Sequence, residues 1–122
     1  MNLETAIEGL MKYRKHIHEQ DLWDNPSELS DVMVKLATYN SYLADNLATL
    51  HHNATEAAGA SFKAARDMEV GVTEAERFAK AESLEPRRKY EHAKYVYDST
   101  KNLISVLQCR LRVISEQIKE AV

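Results

Sequence analysis

An all-α fold, a long antiparallel helical hairpin of coiled-coil type with a shorter N-terminal helix packing at its open end, is predicted by three observations. Apolar residues recur at alternating steps of four and three through the middle of the chain. A matching row runs back from the C-terminal end, and helix breakers are scarce, with 3 glycines and 2 prolines in 122 residues. Few breakers leave few turns, so the helices must be long. One domain, residues 1–122, is expected, with helices over 3–20, 27–69 and 74–120. A compact domain of this size buries roughly two-thirds of its unfolded surface, and an elongated one buries less, which points to a second chain.

The first helix carries an apolar stripe of Leu3, Ile7, Leu10 or Met11, Tyr13 or Arg14, and Ile17. It ends before "DLWDNPSEL", where Asn25 suits an N-cap, Pro26 fits the first helical position without wasting a donor, and Glu28 stands at the capping-box position. In the middle helix Leu29, Met33, Leu36, Asn40, Leu43, Leu47, Leu50, Ala54, Ala57, Ser61, Ala64 and Met68 form an unbroken heptad seam. Asn40 on that seam is a device for fixing register. In "EVGVTEAER" Gly71 is expected to take the left-handed conformation that ends a helix, and Thr73 with Glu76 to cap the next. Pro86 marks a kink or break, because it removes one backbone donor and crowds the preceding turn.

Read backwards, the last helix offers Ile118, Ile114, Leu111, Leu107, Ile104, Thr100, Tyr97, Ala93 and Tyr90. Folding the two seams about Gly71 sets the small Ala54, Ala57, Ser61 and Ala64 opposite Tyr90, Phe78 and Ala79 near the turn, and leucine against isoleucine at the open end, where the first helix returns. A second row, Val96, Leu103, Val106 and Val113, makes the apolar arc wider than one neighbouring helix requires. Either the first helix covers this row or it is a self-association face, and a homo-oligomer is expected. Trp23 either plugs the bundle end, the favoured use, or anchors a partner.

The formal net charge of −3 argues against a generally basic nucleic-acid coat. Cys109 stands alone, which rules out an intrachain disulfide and suits a reducing cytoplasm. No apolar run approaches the roughly 20 residues that span a bilayer. The opening "MNLETAIEGLMKYRK" places acids where a signal peptide has a basic cluster. A cytoplasmic protein with no membrane contact is therefore expected.

No chemistry-bearing constellation emerges. His16 and His18 are two apart and His51 and His52 adjacent, whereas a helical metal pair converges at spacings of three or four. Three scattered glycines cannot cradle a phosphate, and no histidine lies near Cys109 in sequence. Neither enzymatic activity nor a metal or cofactor is expected. "EPRRKYEHAKYVY" does interleave Arg87, Arg88, Lys89, His92 and Lys94 with Tyr90, Tyr95 and Tyr97, and "MKYRKHIH" adds Lys12, Arg14 and Lys15. Charge for phosphate and rings for stacked bases are what single-stranded nucleic acid requires. The plainer reading assigns Tyr90 and Tyr97 to the seam and the charges to a solvated face balanced by Glu82, Glu85, Glu91 and Asp98.

The run "TEAERFAKAESLEPRRKYEHAKYVYDSTKNLISVLQCRLRVISEQ", preceded by an alanine-rich helix and a short glycine turn, resembles small helical coiled-coil proteins of tailed bacteriophages and prophages, often encoded near early recombination and replication genes. The resemblance covers roughly residues 45–118, and Leu103 to Ile114 match the group's closing "LISxLQxRLxxL"-like helix. Pro86 departs from the unbroken helix expected of that group. The resemblance implies a phage accessory protein that acts in the host cytoplasm by binding, and it carries over no catalytic residue. Three roles follow as expectations: an oligomeric interaction module on a host or phage protein, serving recombination or replication or inhibiting a host system; a single-stranded DNA accessory using residues 87–97; and a scaffold or chaperone for virion assembly.

Overall fold

The computed structural model describes residues 1–121. The fold is all-α: α1 (Leu3–Glu19), a 3-10 turn (Leu22–Asp24), α2 (Pro26–Asp67), α3 (Val72–Glu82) and α4 (Leu84–Ala121). α2 and α4 are the two arms of the antiparallel hairpin, and α1 packs at its open end. The contacts divide into two compact units. One combines Met1–Asp45 with the chain from Tyr95 onward, and the other is Asn46–Lys94.

In the first unit α1 starts on a side-chain cap, with the Thr5 amide donating to Asn2 Oδ1 at 2.8 Å. α2 starts as its sequence predicts, the Glu28 amide donating to Asn25 Oδ1 at 3.2 Å and Pro26 opening the helix. Between the two helices Asp21 takes a positive φ of 47°, a left-handed turn that short acidic side chains tolerate. Leu10, Leu29, Leu36, Leu43, Val96 and Leu107 are fully buried in one cluster with Ala6 and Leu22. Leu10, not Met11, fills the α1 position, and Ala6 joins it.

The close approach of α1 to α2 depends on Gly9. A methyl group there would lie 2.7 Å from the Tyr39 ring, which also meets the Tyr13 ring at 6.0 Å between centroids. Tyr42 Oη donates to the Met1 carbonyl at 2.6 Å, and Arg14 Nη1 donates to Ser99 Oγ on α4 at 3.0 Å. Asn40 is buried on the seam and its amide donates across to the Tyr97 carbonyl at 3.3 Å. Its Oδ1 and the Thr100 hydroxyl, one turn beyond Tyr97, are buried without a hydrogen-bond partner. An unsatisfied buried acceptor costs about 1–3 kcal/mol, so this polar layer lowers stability while it penalises any register that moves Asn40 against leucine.

The second unit is built around small side chains. Its buried residues are Ala65, Ala75, Ser83 and Ala93. The seam of α2 runs as predicted to Ser61 and then steps to Ala65, leaving Ala64 and Met68 exposed. A nearly straight helix at 3.6 residues per turn drifts out of a 3.5-residue repeat, and the extra step restores the apolar face.

α2 ends in a Schellman motif: the Val70 amide donates to the Ala65 carbonyl at 3.1 Å and the Glu69 amide to Arg66 at 3.0 Å. The left-handed residue is therefore Glu69, at φ 62°, and not Gly71. Gly71 is extended (φ −61°, ψ 156°) and serves as N-cap of α3 without a side-chain hydrogen bond. Thr73 already lies inside α3, so the expected Thr73–Glu76 capping box does not form. A β-carbon at φ > 0 is strained, and glycine relieves that strain while adding freedom to the unfolded chain. Glu69→Gly is thus expected to stabilise the protein by a net of about 0.5–1 kcal/mol, read as a raised melting midpoint in circular dichroism. A lowered midpoint would count against this turn geometry.

The expected helix over 74–120 is interrupted at Ser83. Ser83 ends α3, donating from its amide and hydroxyl to the Ala79 carbonyl, and its own carbonyl accepts from the Arg87 amide in the first turn of α4. Pro86 explains the position. In an unbroken helix its ring would press on the carbonyl of Glu82, whereas in the first turn of α4 its missing donor has no partner to lose. Arg87 Nη2 braces the junction by donating to the Lys80 carbonyl at 3.0 Å.

Candidate functional site

In the first unit the corner between α1 and α2 is tied to α4 by one side chain. Arg110 is half-buried, its Nε donates to the Trp23 carbonyl at 3.0 Å, and Nη2 pairs with Asp24 Oδ1. Its guanidinium carbon lies 5.2 Å from the centroid of the Trp23 ring. A charge fixed on three sides in this way holds the indole in one orientation. Leu22, 2% exposed, plugs the bundle end in place of Trp23, which stays 43% exposed. Trp23, Ser105, Val106, Cys109, Arg110 and Val113 line a shallow groove.

The row Val96, Leu103, Val106 and Val113 is not one face. At 3.6 residues per turn Val113 points about 100° round the helix from Val96. Val96 is fully buried in the cluster that holds Ala6 and Leu10 of α1, and Leu103 is half-buried against it, so these two are closed to a second chain. Val106 and Val113 are exposed at the groove.

The second unit carries its own apolar groove, lined by Ser61, Ala64, Ala65, Met68, Val70, Phe78 and Glu82. Met68 is 80% exposed, and Phe78, expected to face the opposite arm, is half exposed, as is Val72. α3 buries Ala75, and Phe78, three residues on and about 60° round the helix, stands at the margin of that inward face, where it lines the groove.

The basic-aromatic segment is divided between the two units. Arg87 is committed to the α3–α4 junction, and the half-buried Tyr90 ring packs edge-on against His51 at 4.8 Å. Arg88, Lys89, His92 and Lys94 are exposed in the second unit. Tyr95, exposed, belongs to the first.

His16, His18, His51 and His52 are all exposed, and His52 Nε2 lies 3.1 Å from Glu56. Among the described residues no three His, Cys, Asp or Glu side chains converge on a possible metal position, and no helix is long and apolar enough to cross a membrane.

Sequence reasoning missed the Arg110 clamp. Its partners lie 86 and 87 residues away, and no local spacing signals such a pairing. Comparison of the chain with protein-family models, with proteins of curated function and with solved structures finds no match.

Proposed function

We propose that the protein is a non-enzymatic interaction module, an accessory of phage type that works in the host cytoplasm by associating with itself and docking onto a second protein. The observation that carries the reading is the placement of large apolar side chains on the outside of packed helices: Trp23, Val106 and Val113 in one unit, Met68, Val72 and Phe78 in the other. Folded proteins leave such side chains in lined grooves chiefly where another surface covers them. The groove of the second unit suits an amphipathic helix, with Met68 adapting to its side chains and Glu82 at the rim favouring a basic flank. The resemblance of Leu103 to Ile114 to the closing helix of phage proteins supports the biological setting, recombination or replication or the inhibition of a host system.

The test is capture from nuclease-treated host lysate with the tagged protein and with a Met68→Ser/Phe78→Ser variant. A single stoichiometric protein that survives moderate salt, and is lost with the variant, is the expected result. Recovery of nucleic acid and its escorts alone, vanishing with nuclease, overturns the reading.

A second reading, a single-stranded DNA accessory, is favoured by the exposed Arg88, Lys89 and His92. Replacing Arg88 and Lys89 by glutamate would then abolish a salt-sensitive DNA shift. A shift that persists rejects the basic segment as the contact. A virion scaffold would present the same helical surfaces, and no single residue selects it.

A further inference from the structure

We infer that the Trp23 groove of the first unit is filled by a second copy of this chain, the two α4 helices crossing antiparallel about a twofold axis between Cys109 and Arg110. The inference rests on the reading of the protein as a self-associating module and names the surface and its geometry.

Exposed positions of α4 fall into their own alternation of four and three: Asn102, Val106, Cys109, Val113 and Glu116. The pattern is nearly palindromic about its centre, which is what an isologous interface requires, since the same patch must meet itself. Antiparallel pairing sets Val106 of one copy on Val113 of the other, with each Trp23 walling the outer side of the opposing helix. Arg110 is already spent on Trp23 and Asp24, so the axis brings no free cation against its own image.

Charge selects the direction. Parallel pairing would place Glu116 and Glu120 of each copy against their own counterparts, whereas the antiparallel arrangement brings Glu116 to Asn102, whose amide can donate to the carboxylate. The groove offers three large exposed apolar side chains, Trp23, Val106 and Val113, too few to approach the roughly 800 Å² per partner of a standard stable interface. The dimer is accordingly weak, forming as concentration rises through the micromolar range.

Sedimentation of the purified full chain across concentration, with short dimaleimide cross-linking in a Cys109→Ser background, tests this. A concentration-dependent dimer is expected that Val106→Glu/Val113→Glu abolishes while the helical circular dichroism is retained. Mixed Asn102→Cys and Glu116→Cys chains should cross-link to each other, and neither variant to itself. Self-cross-linking of either variant, or a dimer that survives the valine substitutions, overturns the antiparallel groove and leaves the interaction module standing. A monomer at every concentration overturns the inference and the self-association with it, while docking onto a second protein is decided separately through Met68 and Phe78.

Discussion

Leu107→Ala lowers the unfolding free energy by about 2–5 kcal/mol, whereas Ile118→Ala, on the same seam of the same helix, changes it by less than about 0.5 kcal/mol. Leu107 is 0% exposed and Ile118 is 57% exposed. The first substitution removes three buried carbon atoms and leaves a cavity inside the buried cluster to which Leu107 belongs, and the close packing of that cluster keeps collapse incomplete. The second removes atoms that were already largely in water. Chemical denaturation of both variants measures the pair, and equal losses would show that the seam closes all the way to the end of α4.

The second expectation concerns the two halves of a single helix. Amides in the stretch of α2 around Ala54 to Ala65 exchange with solvent on the order of a hundredfold faster than those around Val32 to Leu43, although all lie within one continuous element. The earlier stretch packs leucine and valine into a full cluster. The later one belongs to the unit whose buried side chains are alanine and serine, and each missing buried methylene forgoes about 0.8 kcal/mol. Hydrogen exchange followed by mass spectrometry resolves the two stretches as separate peptides. Uniform protection along α2 would mean that the alanine-cored unit opens only when everything does.

The fold was legible because its signals are periodic. Leu29, Leu36, Asn40 and Leu43 on α2, and Ala93, Thr100, Leu107 and Ile114 on α4, are buried where the heptads put them. Asn25 and Pro26 mark a helix start that local chemistry alone decides. Legibility failed where two physical choices were nearly equal. Glycine is favourable both at a left-handed terminus and at an N-cap, so Gly71 did not reveal that the strained position falls on Glu69. Pro86 announced a break without saying on which side of it the chain would yield, and buried Ser83 decided that by bonding back to Ala79.

The candidate site was the least legible part. Val96, Leu103, Val106 and Val113 read as one row because they share spacings of seven, but the intervening step of three turns the row away from the core. Trp23 and Arg110 carried no warning that they would meet, since nothing local relates residues so far apart. The basic segment was visible as composition. Its division into a committed Arg87 and exposed neighbours depends on the α3–α4 junction, which required the break at Ser83.

The discontinuous make-up of the first unit bears on how the chain is born. Leu10, Leu29, Leu36 and Leu43 are synthesised early, but Val96 and Leu107, which seal them, emerge only after the whole of Asn46–Lys94 has been translated. Throughout that interval the ribosome carries a nascent chain with an open leucine face, the condition under which chaperones bind and neighbouring chains stick. Formation of the Glu69 turn and the small-residue unit shortens the effective loop that Asn40 and Tyr97 must close. A unit too lightly cored to add much stability can in this way hasten the closure of the one that does.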